Sequence, residues 1–166
     1  LRDQVIALAE ALNVPVASSL LGRGAFPTRH PNFIGTYLGV VSPAPLREMV
    51  EHADCVLLLG ELVSDTGLGV SAGCLTDTNL LIAVARDVYI GRHRYEHTPL
   101  ERVVAALVAS PLPRKTMPAH APSDQLSPEV LERPNDDEPI RVRHVIGALN
   151  EFLASRADTP VVVDTG

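Results

Sequence analysis

A chain of 166 residues is long enough for one domain with a sizeable core. Its net charge of -6, with no Lys/Arg run or basic stripe, argues against a nucleic-acid footprint. No apolar run approaches the roughly 18 residues needed to span a bilayer. Aromatic residues make up 4% and Trp is absent, so the core is expected to be built from Leu, Val, Ile and Ala, as in parallel α/β sheets.

The first segment repeats apolar residues at helical spacing, Val5, Leu8, Ala9 and Leu12, and Asn13 stops it. Val14 to Ser18 reads as a short buried strand, followed by a long Gly-containing loop from Leu20 to Leu38. Ser42, with Pro43 and Pro45, predicts a helix start, with Ser as cap and Pro in the first turn. Leu46, Met49, Val50 and Ala53 line one face of that helix. Cys55 to Leu59, ending at Gly60, has the length and composition of a parallel-sheet strand. Residues 61 to 78 read as loop or irregular helix, Asn79 to Ala85 as a further buried strand, and Val88 to Ile90 as a short one. Thr98 and Pro99 are expected to cap a helix whose face is Leu100, Val103, Val104, Leu107 and Val108. Alternating helices and buried strands predict an α/β fold: a doubly wound, mostly parallel sheet in a Rossmann-like three-layer arrangement.

From Pro111 to Pro139 the apolar periodicity is lost, and half of the 14 prolines fall here, so an extended linker is expected. Beyond it, acidic Asp136 to Glu138 ahead of Pro139 favour a helix start. Val142, Val145, Ile146, Leu149, Phe152 and Leu153 form its apolar face, and Val161 to Val163 reads as a final strand. The expected organisation is a central α/β domain over 1–110, a linker over 111–139, and the start of a second domain over 140–166. The chain opens on Leu1 within a helical pattern and closes on an apolar strand, so both ends are expected to be cut. With no signal pattern at the start, Cys55 and Cys74 read as reduced thiols of a cytoplasmic protein. Cys55 is further read as a small buried hydrophobe.

Several residues could carry chemistry. Gly22-Arg23-Gly24 follows a strand end, where backbone amides could cradle a phosphate with Arg23 beside it; the alternative is a turn that needs flexible φ/ψ. Gly60, Ser64 and Asp65 follow the strand at 55–59, and Asp87 follows the strand at 79–85. Ligands of open α/β sheets bind at carboxyl ends of strands, so these could read a nucleotide ribose, or they could cap turns. His93 and His97 are spaced for a metal on a helix, but the segment reads as solvated loop and supplies no third ligand. No Gly-x-Ser-x-Gly elbow is present, and Cys74 has no evident base nearby in sequence. No catalytic residue is expected within the chain.

One set of motifs points to a family. Gly22-Arg23-Gly24-Ala25-Phe26-Pro27, His30-Pro31, Gly35-Thr36-Tyr37-Leu38-Gly39 and Ser42 together resemble the middle domain of the thiamine-diphosphate-dependent 2-keto acid decarboxylases, which include pyruvate, indolepyruvate and phenylpyruvate decarboxylases. Glu51 to Gly60 and Ser64-Asp65 continue the likeness. It weakens through Ala85 and the helix at 99–109 and nearly vanishes in the linker. It returns at Val161 to Gly166, which resembles the first strand of the family's pyrophosphate-binding domain. Acetolactate synthases and oxidases of the same superfamily share Gly-x-x-P and His-Pro but read differently at the Gly-Thr-Tyr-Leu-Gly segment.

The resemblance implies non-oxidative C–C cleavage by a full-length enzyme using thiamine diphosphate and Mg2+. It places the catalytic Glu in an amino-terminal domain and the metal-binding Gly-Asp-Gly in a carboxy-terminal one, and neither stretch is in this sequence. Asp164, Thr165 and Gly166 match positions near the diphosphate side. The fragment alone is expected to be inactive and to bind no cofactor. Its expected partners are the other two domains of the same enzyme and further copies in a homo-oligomer, with no nucleic acid and no membrane. The alternative is a nucleotide (FAD or ADP) module of a related acetolactate synthase or oxidase. The family's middle domain also has a central strand before its first helix. That strand is not in this sequence, so unpaired sheet edges are expected, with Val161 to Val163 as a strand to fill the gap, in its own chain or in a partner by swapping.

Overall fold

The computed structural model describes residues 1–61, 80–117, 137–156 and 158–162. The chain divides into two compact units, Leu1–Ser123 and Asp124–Gly166.

In the first unit, helix α1 (Arg2–Leu12) follows the predicted spacing and ends at Asn13, whose left-handed φ of 54° suits a side chain that tolerates that region. Strand β1 (Val16–Ser18) pairs in parallel with β2 (Phe33–Thr36). β2 lies inside the stretch read as a continuous loop, and this is a correction. Its Phe-Ile-Gly-Thr is short, and Gly35 adopts φ +133°, so no alternation marks it in sequence. A short 3-10 turn (Gly39–Val41) leads to α2 (Ala44–Glu51). Then come β3 (Val56–Leu59), β4 (Leu80–Ala83), β5 (Val88–Ile90), β6 (His93–Tyr95) and α3 (Leu100–Ala109). β3 and β4 are parallel, and the β5–β6 hairpin adds two antiparallel pairings, giving a sheet in the order β3-β4-β5-β6.

Two apolar clusters hold this unit, and α1 contributes to both. Leu8 packs with Ala83, Val88, Leu100 and the fully buried Val104. Ala9 packs with Phe26 and Phe33, and Val5 touches both clusters. Asn32 is buried, so its amide must find partners. It donates to the carbonyls of Ala9 (3.2 Å) and Val14 (2.8 Å), tying the end of α1 to the approach of β2. Residues 111–117 have no regular structure, and residues 118–136 of the expected linker lie outside the described residues. Lys115 N–H nonetheless donates to Leu12 O, and the Arg114 guanidinium to Glu10 O.

The expected caps act elsewhere. Ser42 Oγ accepts from Leu38 N–H at 2.6 Å rather than from α2. Pro45 removes one of the amides that a cap would satisfy, so α2 starts without a side-chain cap. Thr98 Oγ1 donates to Glu96 O, and Pro99 is the N-cap of α3. Cys55 precedes β3 and is exposed, against the expectation of a buried position: the strand starts one residue later, at Val56.

In the second unit, α4 (Val142–Ala154) is the predicted helix. Its first turn is tied by Glu138, which pairs with Arg141 and Arg143. Val142, Val145, Ile146, Leu149 and Phe152 are 44–75% exposed. Val161 and Val162 lie outside any strand, at 50% and 95% exposure; Val163 falls outside the described residues.

Candidate functional site

Parallel α/β ladders present the carboxyl ends of their strands at one edge, where loops are free to hold ligands. Here that edge is formed by the residues after β1, β2 and β3. Ser18 Oγ and Thr36 Oγ1 meet at 3.2 Å across the last register pair of β1 and β2. Tyr37 N–H donates to Ser18 O at 2.8 Å, and the buried Tyr37 donates its hydroxyl proton to Glu51 Oε1 at 3.1 Å.

Ser19 follows β1 directly, and its hydroxyl has two roles. Oγ accepts the Gly22 N–H at 3.0 Å and donates its own proton to Glu61 Oε2. This explains the first glycine of Gly22-Arg23-Gly24. A Cβ on Gly22 would sit 3.0 Å from Ser19 Oγ. The Gly22 amide is already used within the loop, which favours the turn reading over the phosphate cradle. Gly24 has φ +86° with open space around it, and Arg23 is exposed and makes no ion pair among the described residues. Gly60 turns the chain out of β3 with φ +75°, its N–H donating to Ala83 O at 2.7 Å.

Asp87 occupies the β4–β5 turn. Its carbonyl accepts Val84 N–H at 2.9 Å, and its carboxylate takes a 2.7 Å bond from Arg94. That bond, with the Arg94 charge and the His97 backbone N–H, holds the Asp87 carboxyl below its ordinary value against a smaller opposing push from desolvation. The carboxylate is thus committed to its own hairpin. His93 lies on β6 and His97 has φ 58°, so the segment is strand and turn, not the helix that would align the two rings. Ser64, Asp65, Cys74 and Asp164 to Gly166 lie outside the described residues.

Among the described residues the sequence-predicted ones do not converge: Gly22 and Gly60 each follow a strand end, while Asp87 serves a hairpin. Ser19 and Glu61 are the pair that sequence reasoning missed. The available signal was their position, each just past a strand end. A shallow groove lined by Glu10, Asn13, His30, Asn32, Arg114 and Met117 lies at the amino ends of β1 and β2, opposite to where such sheets bind ligands. Among the described residues, no three His, Cys, Asp or Glu side chains cluster so as to hold a metal ion. No described helix is long and apolar enough to cross a membrane.

Residues 1–109 match the family model described as "Thiamine pyrophosphate enzyme, central domain". Among curated proteins, the indole-3-pyruvate decarboxylase of Azospirillum brasilense is 32% identical over 167 aligned positions, covering 100% of this chain and 30% of that protein. Pyruvate decarboxylase 1 of Oryza sativa subsp. indica is 31% identical, covering 96% of the chain and 26% of that protein. Pyruvate decarboxylase 1 of Pisum sativum is 27% identical, covering 95% and 26%. The chain thus spans between a quarter and a third of the length of these relatives.

Proposed function

Since the chain belongs to the thiamine pyrophosphate enzymes and comprises their central domain, we propose that it serves in a non-oxidative 2-keto acid decarboxylase. The supporting observation is that the likeness to decarboxylases runs the whole chain, 32% identity over its full length for the A. brasilense protein. That includes residues 110–166, beyond the central-domain match.

In this reading the cofactor supplies the chemistry: thiamine diphosphate acts as the electron sink for decarboxylation, with Mg2+ at its diphosphate. The described residues offer no fit for that group, so no step of the reaction is derived from them. Their part is architectural: α1 joins the two sheets of the first unit, and the strand-end loops are held by their own hydrogen bonds. Residues 140–166 are the start of the pyrophosphate-binding domain, with Asp164 to Gly166 on its diphosphate side. There the apolar face of α4 meets its covering partner. The parent enzyme is a cytoplasmic homo-oligomer, and the chain alone is inactive and binds no cofactor.

Two measurements test this. The first grafts residues 1–109 in place of the matching segment of the A. brasilense enzyme. The chimera is expected to keep decarboxylase activity; a folded but inactive chimera would overturn the reading. The second is calorimetry of the purified chain with thiamine diphosphate plus Mg2+, FAD and ADP. No heat at high micromolar ligand is expected, and saturable heat with FAD or ADP would make the chain a nucleotide module instead.

A further inference from the structure

The last four carbonyls of an α-helix have no partner within it and must find donors elsewhere. At the end of α1 the chain that follows directly serves Ala9 O, which takes the N–H groups of both Asn13 and Val14. Glu10 O and Leu12 O are reached from the far side of the sequence. The Arg114 guanidinium donates to Glu10 O at 2.8 Å, and the Lys115 N–H to Leu12 O at 2.7 Å. Asn13 returns the contact, its Nδ2 donating to Lys115 O at 3.0 Å. α1 has no basic residue in its own last turn, so Arg114 also brings the positive charge that a helix C-terminus favours. Lys115 Nζ lies 3.2 Å from Asp54, two residues before β3.

The groove beside this contact fits the same picture. Arg114 and Met117 line it together with Glu10, Asn13, His30 and Asn32. Its polar groups are engaged with one another: His30 Nδ1 accepts the Asn32 N–H at 3.1 Å, and His30 Nε2 lies 3.2 Å from Glu10 Oε1. The groove is a seam between residues 111–117 and the end of α1 rather than a ligand pocket. The hold across it is polar. Residues 111–116 are exposed and Met117 is half-buried. A segment held by exposed hydrogen bonds, with little apolar surface buried, opens locally and at lower cost than the unit it rests on. α1 is the opposite case, since Val5, Leu8 and Ala9 tie it to both apolar clusters.

We propose that residues 111–117 are a releasable clasp on the C-terminal end of α1, closed by Arg114, Lys115 and Asn13, which opens while the rest of the first unit stays folded and, when open, frees the last turn of α1. The unit then extends in structure past Ala109, the end of α3, to Met117. A displacement of the chain beyond Met117 has to break these bonds first, and the clasp is where it acts on α1, the helix shared by both clusters. The clasp does not depend on which keto acid, or which reaction, the parent enzyme handles.

Hydrogen exchange of the 166-residue chain, read amide by amide by NMR across low urea concentrations, tests this. The Lys115 amide is expected to exchange at least about tenfold more slowly than in a free peptide, at a rate that barely changes with urea, whereas the Val104 amide follows global unfolding. Exchange of Lys115 at the free-peptide rate overturns the proposal, because the clasp is then not closed. A urea dependence equal to that of Val104 also overturns it, because the clasp then opens only with the whole unit. Asn13→Gly removes the side-chain donor and keeps a residue suited to the left-handed cap. Combined with Arg114→Ala, it is expected to speed the Lys115 amide about tenfold, and with it the amides of Leu12 and Val14 at the end of α1. A faster Lys115 beside unchanged Leu12 and Val14 shows that the clasp has no hold on the helix, and the proposal fails. Arg114→Ala alone is expected to give the same pattern at about threefold, which keeps the test open should the double variant not fold.

Discussion

Helices α3 and α4 carry the same kind of sequence signal and end in opposite surroundings. α3 puts Leu100 and Val104 into a core with Leu8, Ala83 and Val88, and Val104 is fully buried. α4 has an apolar stripe at the same spacing, Val142, Val145, Ile146, Leu149 and Phe152, and each of these residues remains 44–75% exposed. Exposed single apolar residues are ordinary, but five on one helical face are not. Periodicity reports which face a helix must cover; whether it is covered depends on elements far away in sequence. The contrast marks the first unit as one that buries its own helices, and the second as one that presents a face.

The widest gap between the two helices should appear on placing a charge in each stripe. Val104→Asp puts a carboxylate where no water reaches, and is expected to cost more than about 4 kcal/mol and unfold the first unit. Ile146→Asp places the same group on an exposed face and should change stability by less than about 0.5 kcal/mol. Thermal unfolding followed by circular dichroism reads both. An Ile146→Asp variant as damaged as Val104→Asp would show that the α4 face is covered in solution, and the contrast between the helices would vanish.

The same contrast between occupied and open surroundings runs inside the first unit, through two glycines that both have positive φ. A Cβ at Gly35 would meet Leu46 Cδ2 at 3.1 Å as well as suffer φ +133°, whereas a Cβ at Gly24 meets nothing within 4 Å at φ +86°. Gly35→Ala is expected to lose about 1–3 kcal/mol from backbone strain and the displaced Leu46. Gly24→Ala should lose about 1 kcal/mol, from conformation alone. Urea midpoints of the two variants measure the difference, and equal losses would mean that the Leu46 contact is absorbed without cost.

What the sequence made legible was local. α1 and its stop at Asn13 follow from four apolar positions and one residue tolerant of left-handed φ. The run before Gly60 was readable as a strand because four apolar residues in a row have few other uses. The family, too, was readable, since the motifs from Gly22 to Ser42 lie close together in sequence. What escaped depends on partners distant in the chain. β2 exists by pairing with β1 across the loop, and its glycine hides it. The two caps were misplaced because Ser42 and Thr98 found nearer backbone groups. The Ser19–Glu61 contact joins residues 42 apart, and no spacing rule forecasts it. Among the candidate residues, Asp87 could be read as ribose ligand or turn; its partner Arg94, seven residues on, decides for the turn.

That turn gives the smallest expected effect, because Asp87 and Arg94 form their pair at the surface, where solvent screens it. The Asp87 carboxyl is held below its unfolded value, so folding favours its ionised form. Its contribution is therefore fully present above the unfolded value of about 3.9 and is lost as pH falls through the lower folded value. Asp87→Asn removes the charge at every pH. Its midpoint should sit slightly below wild type at neutral pH, and the two curves should converge toward pH 2. The effect should be confined to the β5–β6 hairpin and leave α4 unmoved, since each unit has its own packing. Unfolding midpoints of both proteins between pH 2 and 7 test this. Curves that diverge as the pH falls would mean that the Arg94 bond does not favour the ionised carboxylate, and that the turn is held by its backbone bonds alone.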